Sequence, residues 1–421
     1  MSRFACVHHI EVGVVNGQAT VDMLTSKYGF KVTAIRNNSV AKQWVLTGND
    51  VRFLVTELLT SDQKLIEADD IAVDWMPCLS GHVTQRKDSV FNISFQVDNL
   101  DLLSLEHVQV VKPVKTLAGG QVRLLTARGC LGDVHHTIVE KTDFSGHFLP
   151  GFTGLPDTTP DTTPDTTPDT TEDLAEFGWS HFDHVALSVP IGGSRSVMKF
   201  YEKFLGFQRF LVNRDESPED GLVLSHHLRL RAMRYQRGAE AGALQRGAET
   251  DGPVLEPTDQ FCLVLSEAPS LDVAGTNKVE QWMTSHPGPG IQHLALSTSD
   301  IKRAVRQARR CGVQFGQPPP SAYYTQAGKL ADILEVNESV QDLQELDILI
   351  DKDQGKRYLL QIFTSPVLPT DPFFLEFIQR HGALGFGSGN ITALYRSMRH
   401  MENMEVTLSA DQMVPVVTQT Q

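Results

Sequence analysis

"HFDHVALSV", residues 181–189, reads as a β-strand with a histidine in its middle. Phe182, His184, Ala186 and Ser188 alternate with Asp183, Val185, Leu187 and Val189, the period-two pattern of a strand with two different faces. A second string of the same kind, "VHHIEVGV", occupies residues 7–14. An amphipathic helical pattern follows each strand, and each helix ends in an aromatic-glycine turn, "YGF" at 28–30 and "LGF" at 205–207. Further on, "VFNISFQVDNLDLL" (90–103) parallels "IQHLALSTSDIKRA" (291–304), again read as strand then helix. The chain therefore says the same thing twice, and each half holds two strand-helix units followed by further strands.

Between the halves lies "PDTTPDTTPDTTPDTT", residues 156–171. Four copies of a polar, proline-bearing tetrapeptide have no apolar face to bury, so this stretch is expected to be a disordered linker. It divides the chain into a first unit (1–155), the linker (156–173), a second unit (174–403) and a flexible tail (404–421). In the alignment of the halves, His9 falls opposite His184, Asn92 opposite His293, and Glu140 opposite Glu376. The longer spacings of the second half are accounted for by a low-complexity loop at 236–253 and a Pro-led insertion at 318–346.

The bulk properties exclude several classes. The 421 residues are 41% hydrophobic and 21% charged, ordinary for a globular chain. A formal net charge of −14, with no basic patch to offset it, argues against a nucleic-acid partner. Five scattered cysteines, none in a CxxC pair, suit reduced intracellular thiols better than a disulfide framework. No apolar run reaches the length of a membrane span. The first 35 residues mix Arg3, Lys27 and Lys31 with Glu11 and Asp22, a weak match to a mitochondrial presequence.

The second half carries the chemistry. "GIQHLALS" (290–297) places His293 on an apolar strand. "FFLEFIQR" (373–380) puts Phe374, Glu376 and Ile378 on one face, and "YLLQIFT" (358–364) does the same for Leu359, Gln361 and Phe363. A lone strand histidine is more often a hydrogen-bonded core residue than a ligand. Three ligand-type residues at matching places of a repeated unit are another matter, because an unpartnered charge is costly to bury on an apolar strand. Two imidazoles and a carboxylate around one divalent metal, with positions left open, form the facial triad of non-haem Fe(II) oxygenases. In the first half Asn92 is a poor ligand, so that half is expected to be metal-free. "GFGSGNITALYRS" (385–397) looks like a dinucleotide fingerprint but lacks its final glycine, where Asn390 stands.

"GPGIQHLALSTSDI", "PPPSAYYTQ", "DILIDKDQGKRYLLQIFTSP" and "FFLEFIQRHGALGFGSGN" closely resemble the C-terminal half of the 4-hydroxyphenylpyruvate dioxygenase family, and "HHTIVEKTDFSGHFLPGF" (135–152) resembles the end of its first half. The resemblance spans about residues 5–400, apart from the PDTT linker and the loop at 236–253. It implies an α+β vicinal-oxygen-chelate (glyoxalase/dioxygenase) fold of four βαβββ modules in two tandem open barrels, with iron in the C-terminal one. It implies Fe(2+) as cofactor, held by His184, His293 and Glu376. It also implies an aryl-pyruvate and O2 as substrates. A homodimer is the expected assembly, and the apolar runs lead to the expectation of no transmembrane segment. Gln361, Phe363, Phe374, Phe386 and Asn390 fall on family substrate positions. Gln292 does too, but a regular strand would turn it away from His293, so it is read as a residue behind the ligand or one that needs a local bend.

Departures from the family set the expected product. Family pocket residues fall here on Lys278, Ser266 and Met198, and an aromatic wall residue becomes Ile391. Loss of that wall favours benzylic hydroxylation to 4-hydroxymandelate over ring hydroxylation to homogentisate. Such a product would suit quinone (ubiquinone) head-group synthesis and a mitochondrial location. The altered pocket leaves a catalytically silent metal-binding relative as one alternative, and zinc-dependent isomerase or lyase chemistry as a more distant one.

Overall fold

A computed structural model describes residues 6–59, 87–156, 177–211, 216–225, 228–235, 245–246, 261–268, 278–286, 288–353 and 355–390. Most of the PDTT run, most of the low-complexity loop, Ile391 and the tail lie outside these residues, as does the side chain of Lys278.

The first half forms β1 (Cys6–Val14), α1 (Gly17–Tyr28), β2 (Lys31–Asn37), β3 (Ala41–Gly48) and β4 (Val51–Leu58), then β5 (Ser89–Gln96), β6 (Gln109–Leu117), β7 (Val122–Arg128), β8 (His135–Lys141) and β9 (Thr153–Gly154). The second half forms β10 (Trp179–Val189), α2 (Ser194–Leu205), β11 (Gln208–Leu211), β12 (Leu222–Ser225), β13 (Leu228–Arg234), β14 (Gln245–Arg246) and β15 (Cys262–Glu267). It continues with α3 (Lys278–Ser285), β16 (Gly290–Thr298), α4 (Ile301–Arg310), α5 (Ala322–Thr325), α6 (Ala327–Glu335), α7 (Val340–Glu345), β17 (Leu349–Lys352), β18 (Tyr358–Phe363) and β19 (Phe374–His381). Each half is one curved mixed sheet. The orders are β6-β7-β8-β5-β1-β4-β3-β2-β9 and β14-β11-β13-β15-β10-β16-β19-β18-β17, with β12 on β13. This is the duplicated βαβββ plan of the vicinal-oxygen-chelate fold, an α+β architecture.

The aromatic-glycine turns have a local cause. Gly29 (φ 71°) and Gly206 (φ 79°) take the left-handed conformation that closes α1 and α2, and their N–H groups bond carbonyls of the last helical turn. Asn16 opens α1 by accepting from the Ala19 N–H. The helix expected after β5 is only a 3-10 turn, Leu100–Leu102. Asn99 caps it and the Glu140 carboxylate accepts from the Leu100 N–H, after which the chain turns to extended at Leu103. The Pro-led insertion supplies α5, α6 and α7, which cover β17 and β18 through Tyr323, Ile333 and Leu343, all fully buried.

The two halves share one core. Phe30 and Phe53 of the first half pack on Trp179 and Phe182 of the second, with Phe53 and Phe182 ring centroids 5.4 Å apart. That contact corrects the simple alternation on β10. Phe182 lies on the side of Val185, Leu187 and Val189, away from His184 and Ala186. The reason is a β-bulge: Phe182 pairs with Leu296 and His184 with Ala295, so two steps on β10 match one on β16. Asp183 is the extra residue.

A second correction concerns the internal repeat. In the first half β5 pairs with β8 in parallel, Asn92 beside His135 and Phe95 beside Ile138. In the second, His293 lies beside Phe374 and Ala295 beside Glu376. Thr137, two residues beyond His135, therefore holds the place of Glu376, and Glu140 lies three residues further along. Glu140 sits near the sheet rim instead, where Arg123 pairs with it at 3.0 Å.

Candidate metal centre

Three central strands of the second sheet bring His184 (β10), His293 (β16) and Glu376 (β19) together on its concave face. One ligand atom from each lies within 4.8 Å of the others. His184 Nε2 is 3.3 Å and His293 Nε2 3.4 Å from the same oxygen, Glu376 Oε2. All three line one cavity; His184 and Glu376 are buried and His293 is partly exposed.

Two bulges aim the histidines. Asp183, the extra residue of β10, accepts a hydrogen bond from His184 Nδ1 at 2.8 Å. On β16, Ala186 pairs with His293 but Leu187 with Ile291, so Gln292 is the extra residue there. The local bend lets Gln292 share the cavity side with His293 and accept from its Nδ1 at 3.2 Å. Gln292 in turn donates to Ser188 Oγ at 2.9 Å. Each ring thus has its Nδ1 proton held by the residue just before it, so Nε2 is the nitrogen that faces Glu376 and would bind a metal on losing its proton.

The electrostatics favour a cation. Burial disfavours charge on His184, yet the Glu376 carboxylate and the Asp183 hydrogen bond outweigh it and raise its pKa. Burial also disfavours charge on Glu376, but the two imidazoles hold its pKa below the usual carboxylate range. For His293 burial prevails and its pKa falls. Glu376 Oε1 is buried and has no hydrogen-bond partner among the described residues. An unpaired buried carboxylate oxygen costs roughly several kcal/mol, and a divalent cation removes that cost. Two imidazoles, one carboxylate and an open cavity fit ferrous iron.

The cavity beside the triad has a volume of about 500 Å³. Gln361, Phe363 and Phe374 form one wall, with Phe374 stacked on His293 (centroids 4.7 Å apart, 24° between planes). Leu228, Leu230, Val264 and Ser266 form the wall opposite, with Phe386 beside them. Val279 and Trp282 of α3 also line it. Gln361 Oε1 is buried without a hydrogen-bond partner among the described residues. Ser266 Oγ donates to the Leu187 carbonyl at 3.2 Å.

Two expectations are not met. Asn390 does not line the cavity: its Oδ1 accepts from Tyr323 Oη (2.7 Å) and Lys329 Nζ (3.2 Å), which hold it behind the wall. Met198 packs against the main core, because α2 covers the outer face of the sheet. Lys278 begins α3, with its side chain outside the described set, and Ile391 lies beyond it. Sequence reasoning missed Asp183 as a support for His184 and missed Arg380, which pairs with Asp183. The signal was present: "DH" at 183–184 and "QH" at 292–293 place a hydrogen-bond acceptor just before each ligand histidine.

Comparison with known proteins agrees with this geometry. Residues 181–332 match the Glyoxalase/Bleomycin resistance protein/Dioxygenase superfamily. A solved triple mutant of 4-hydroxymandelate synthase from Streptomyces coelicolor superposes with a TM-score of 0.64 at 24% identity, covering 95% of this chain and 99% of that one. Fold and site together define a vicinal-oxygen-chelate protein with a two-histidine, one-carboxylate centre. The mouse 4-hydroxyphenylpyruvate dioxygenase-like protein is 31% identical over 399 residues, 93% of this chain and 95% of the relative. The 4-hydroxyphenylpyruvate dioxygenase of Yarrowia lipolytica is 28% identical over 93% of this chain and 90% of its own length. The chain belongs to the 4-hydroxyphenylpyruvate dioxygenase family.

Proposed function

We propose that the chain is a non-haem Fe(II) dioxygenase that oxidatively decarboxylates an aryl-pyruvate, 4-hydroxyphenylpyruvate or a close analogue. The observation that carries this reading is the convergence of His184, His293 and Glu376 beside an aromatic-walled cavity, with Glu376 Oε1 unpartnered. Ferrous iron held there would supply the redox chemistry with O2 and a chelation point for an α-keto acid. The protein's own residues do the rest. Phe363, Phe374 and Phe386 give an aryl ring flat apolar surfaces. Gln361 Oε1 and the Gln292 amide are the polar groups available near the ligands to orient a substrate. The volume of about 500 Å³ suits a small ligand, since such sites run from roughly 300 to 1,000 Å³.

The reaction balances as aryl-pyruvate plus O2 giving CO2 and a hydroxylated arylacetate. For 4-hydroxyphenylpyruvate we favour 4-hydroxymandelate, on the ground of Ile391, with homogentisate the second reading because relatives at 28% identity are named 4-hydroxyphenylpyruvate dioxygenase. The favoured product would feed quinone head-group synthesis, with a mitochondrial location. The test is aerobic incubation of the Fe(II)-loaded chain with 4-hydroxyphenylpyruvate, followed by chromatographic separation of the products, which share one mass. Decarboxylation absent in His293→Ala supports the dioxygenase, and no turnover above that control overturns it. Homogentisate as sole product overturns the Ile391 argument alone.

A further inference from the structure

Arg380 lies on β19 four residues beyond Glu376, on the same strand face as Glu376 and Ile378. Its guanidinium makes two kinds of contact. Along one edge Nε and Nη2 grip both oxygens of Asp183, with Nη2 to Oδ1 at 2.6 Å. At the other end Nη1 donates to the carbonyls of Ala383 (3.0 Å) and Gly385. Asp183 is buried, and its Oδ1 also takes the Nδ1 proton of His184.

The carbonyls at 383 and 385 belong to the segment 382–390, which places Phe386 in the cavity wall. The same segment is tied by Arg234 to the Leu384 carbonyl at 2.7 Å, and by Asp351 to the Gly389 N–H at 2.9 Å. One planar side chain therefore joins the support of a metal ligand to the backbone of a substrate wall. A lysine could neutralise Asp183 but could not hold both its oxygens and two carbonyls in one plane.

We infer that Arg380 is a positioning residue that couples His184 to the segment 382–390, so that ordering of the metal centre and ordering of the Phe386 wall reinforce each other. The inference rests on the metal-centre reading and is independent of the substrate. Linkage requires the effect to run both ways: if the ordered segment steadies His184, a metal on His184 steadies the segment.

The test uses the full chain with Co(II) as probe, its affinity read from visible absorbance and the segment's order from amide hydrogen exchange by mass spectrometry. In the unsubstituted protein, Co(II) is expected to slow exchange across 382–390. In Arg380→Lys the affinity should fall roughly tenfold or more, the usual range for losing a support behind a ligand, and added metal should no longer slow exchange in the segment. The thermal midpoint of the metal-free variant monitors folding. Asp183→Asn, which keeps an acceptor for His184 but loses the charged fork, should show the same two changes to a smaller extent and serves if Arg380→Lys does not fold. Failure of the unsubstituted chain to bind Co(II) overturns the metal centre itself. Binding with unchanged exchange in 382–390, or with Arg380→Lys affinity within twofold of the parent, overturns the coupling alone.

Discussion

Asn92 in the first sheet holds the place that His293 holds in the second. Asn92 pairs with Glu11 across β1, His293 pairs with Ala186 across β10, and each directly follows a bulged residue. The consequences differ because the neighbours differ. Asn92 Nδ2 donates to Glu11 Oε2 (3.0 Å) and Thr137 Oγ1 (2.9 Å), and its Oδ1 accepts from the Thr137 N–H (3.0 Å). Thr56 Oγ1 also donates to Glu11. Asn92, Glu11, Thr56 and Thr137 thus satisfy one another in the first cup, whereas in the second Glu376 keeps an oxygen with no partner among the described residues.

Replacing Asn92 should therefore act on stability and not on metal. Asn92→Ala leaves the buried Glu11 carboxylate and the Thr137 N–H short of partners, a loss of roughly 2–3 kcal/mol. Urea unfolding is expected to show that loss, while the metal content per chain stays unchanged.

Gln292 should act on metal more than on stability. Gln292→Leu removes the acceptor that orients the His293 ring, and metal affinity should fall roughly tenfold to a hundredfold. Chelator competition measures it. An affinity equal to the parent's would mean that the bulge at Gln292 has no part in aiming His293.

Gly387 guards the cavity. Its φ is 82°, and a methyl group there would overlap the amide of Gln361. Gly387→Ala should displace the Gln361 side chain and strain the backbone by about 1–2 kcal/mol. The expected kinetic result, read at saturating Fe(II) because Gly387 lies in the segment joined to His184 through Arg380, is a KM for aryl-pyruvate raised about tenfold or more.

His136 makes the joint between the halves sensitive to acid. Its Nδ1 donates to the Ile93 carbonyl at 3.1 Å, and its Nε2 accepts from Tyr201 Oη of α2 at 3.1 Å. Burial, as the main cause, lowers its pKa from 6.5 to about 4. The unfolded chain therefore binds a proton below pH 6.5 that the folded chain refuses until about pH 4. Its stabilising contribution is complete above pH 6.5 and falls as the pH drops toward 4, by about 3 kcal/mol in all. His9, lowered to about 3 for the same main reason, adds to the slope. His136→Gln should remove about one proton from the pH dependence of the urea midpoint over that range.

Much of the plan is visible in the chain. Period-two runs mark the strands, Gly29 and Gly206 mark the helix ends, and the recurrence of histidine strands marks the duplication. What regular alternation hides is the bulge. One extra residue turns Asp183 and Gln292 to the side of their histidines and puts Phe182 on the other face. The same blindness to register led from Glu376 to Glu140 in the first half, where pairing of β5 with β8 selects Thr137. Asn390 illustrates a different limit. Its partners Tyr323 and Lys329 come from the helical insertion, and contacts across 67 and 61 residues leave no local trace in the chain.

The chemistry of the second cup depends on one divalent ion seated between two imidazoles and a carboxylate. Titration of the metal-free chain with Fe(II) under argon, for the parent and for His184→Ala, His293→Ala and Glu376→Ala, tests it most directly. The parent chain is expected to bind about one ion tightly, and each folded variant at least about a hundredfold more weakly. Tight binding that survives all three substitutions would contradict that seating of the ion.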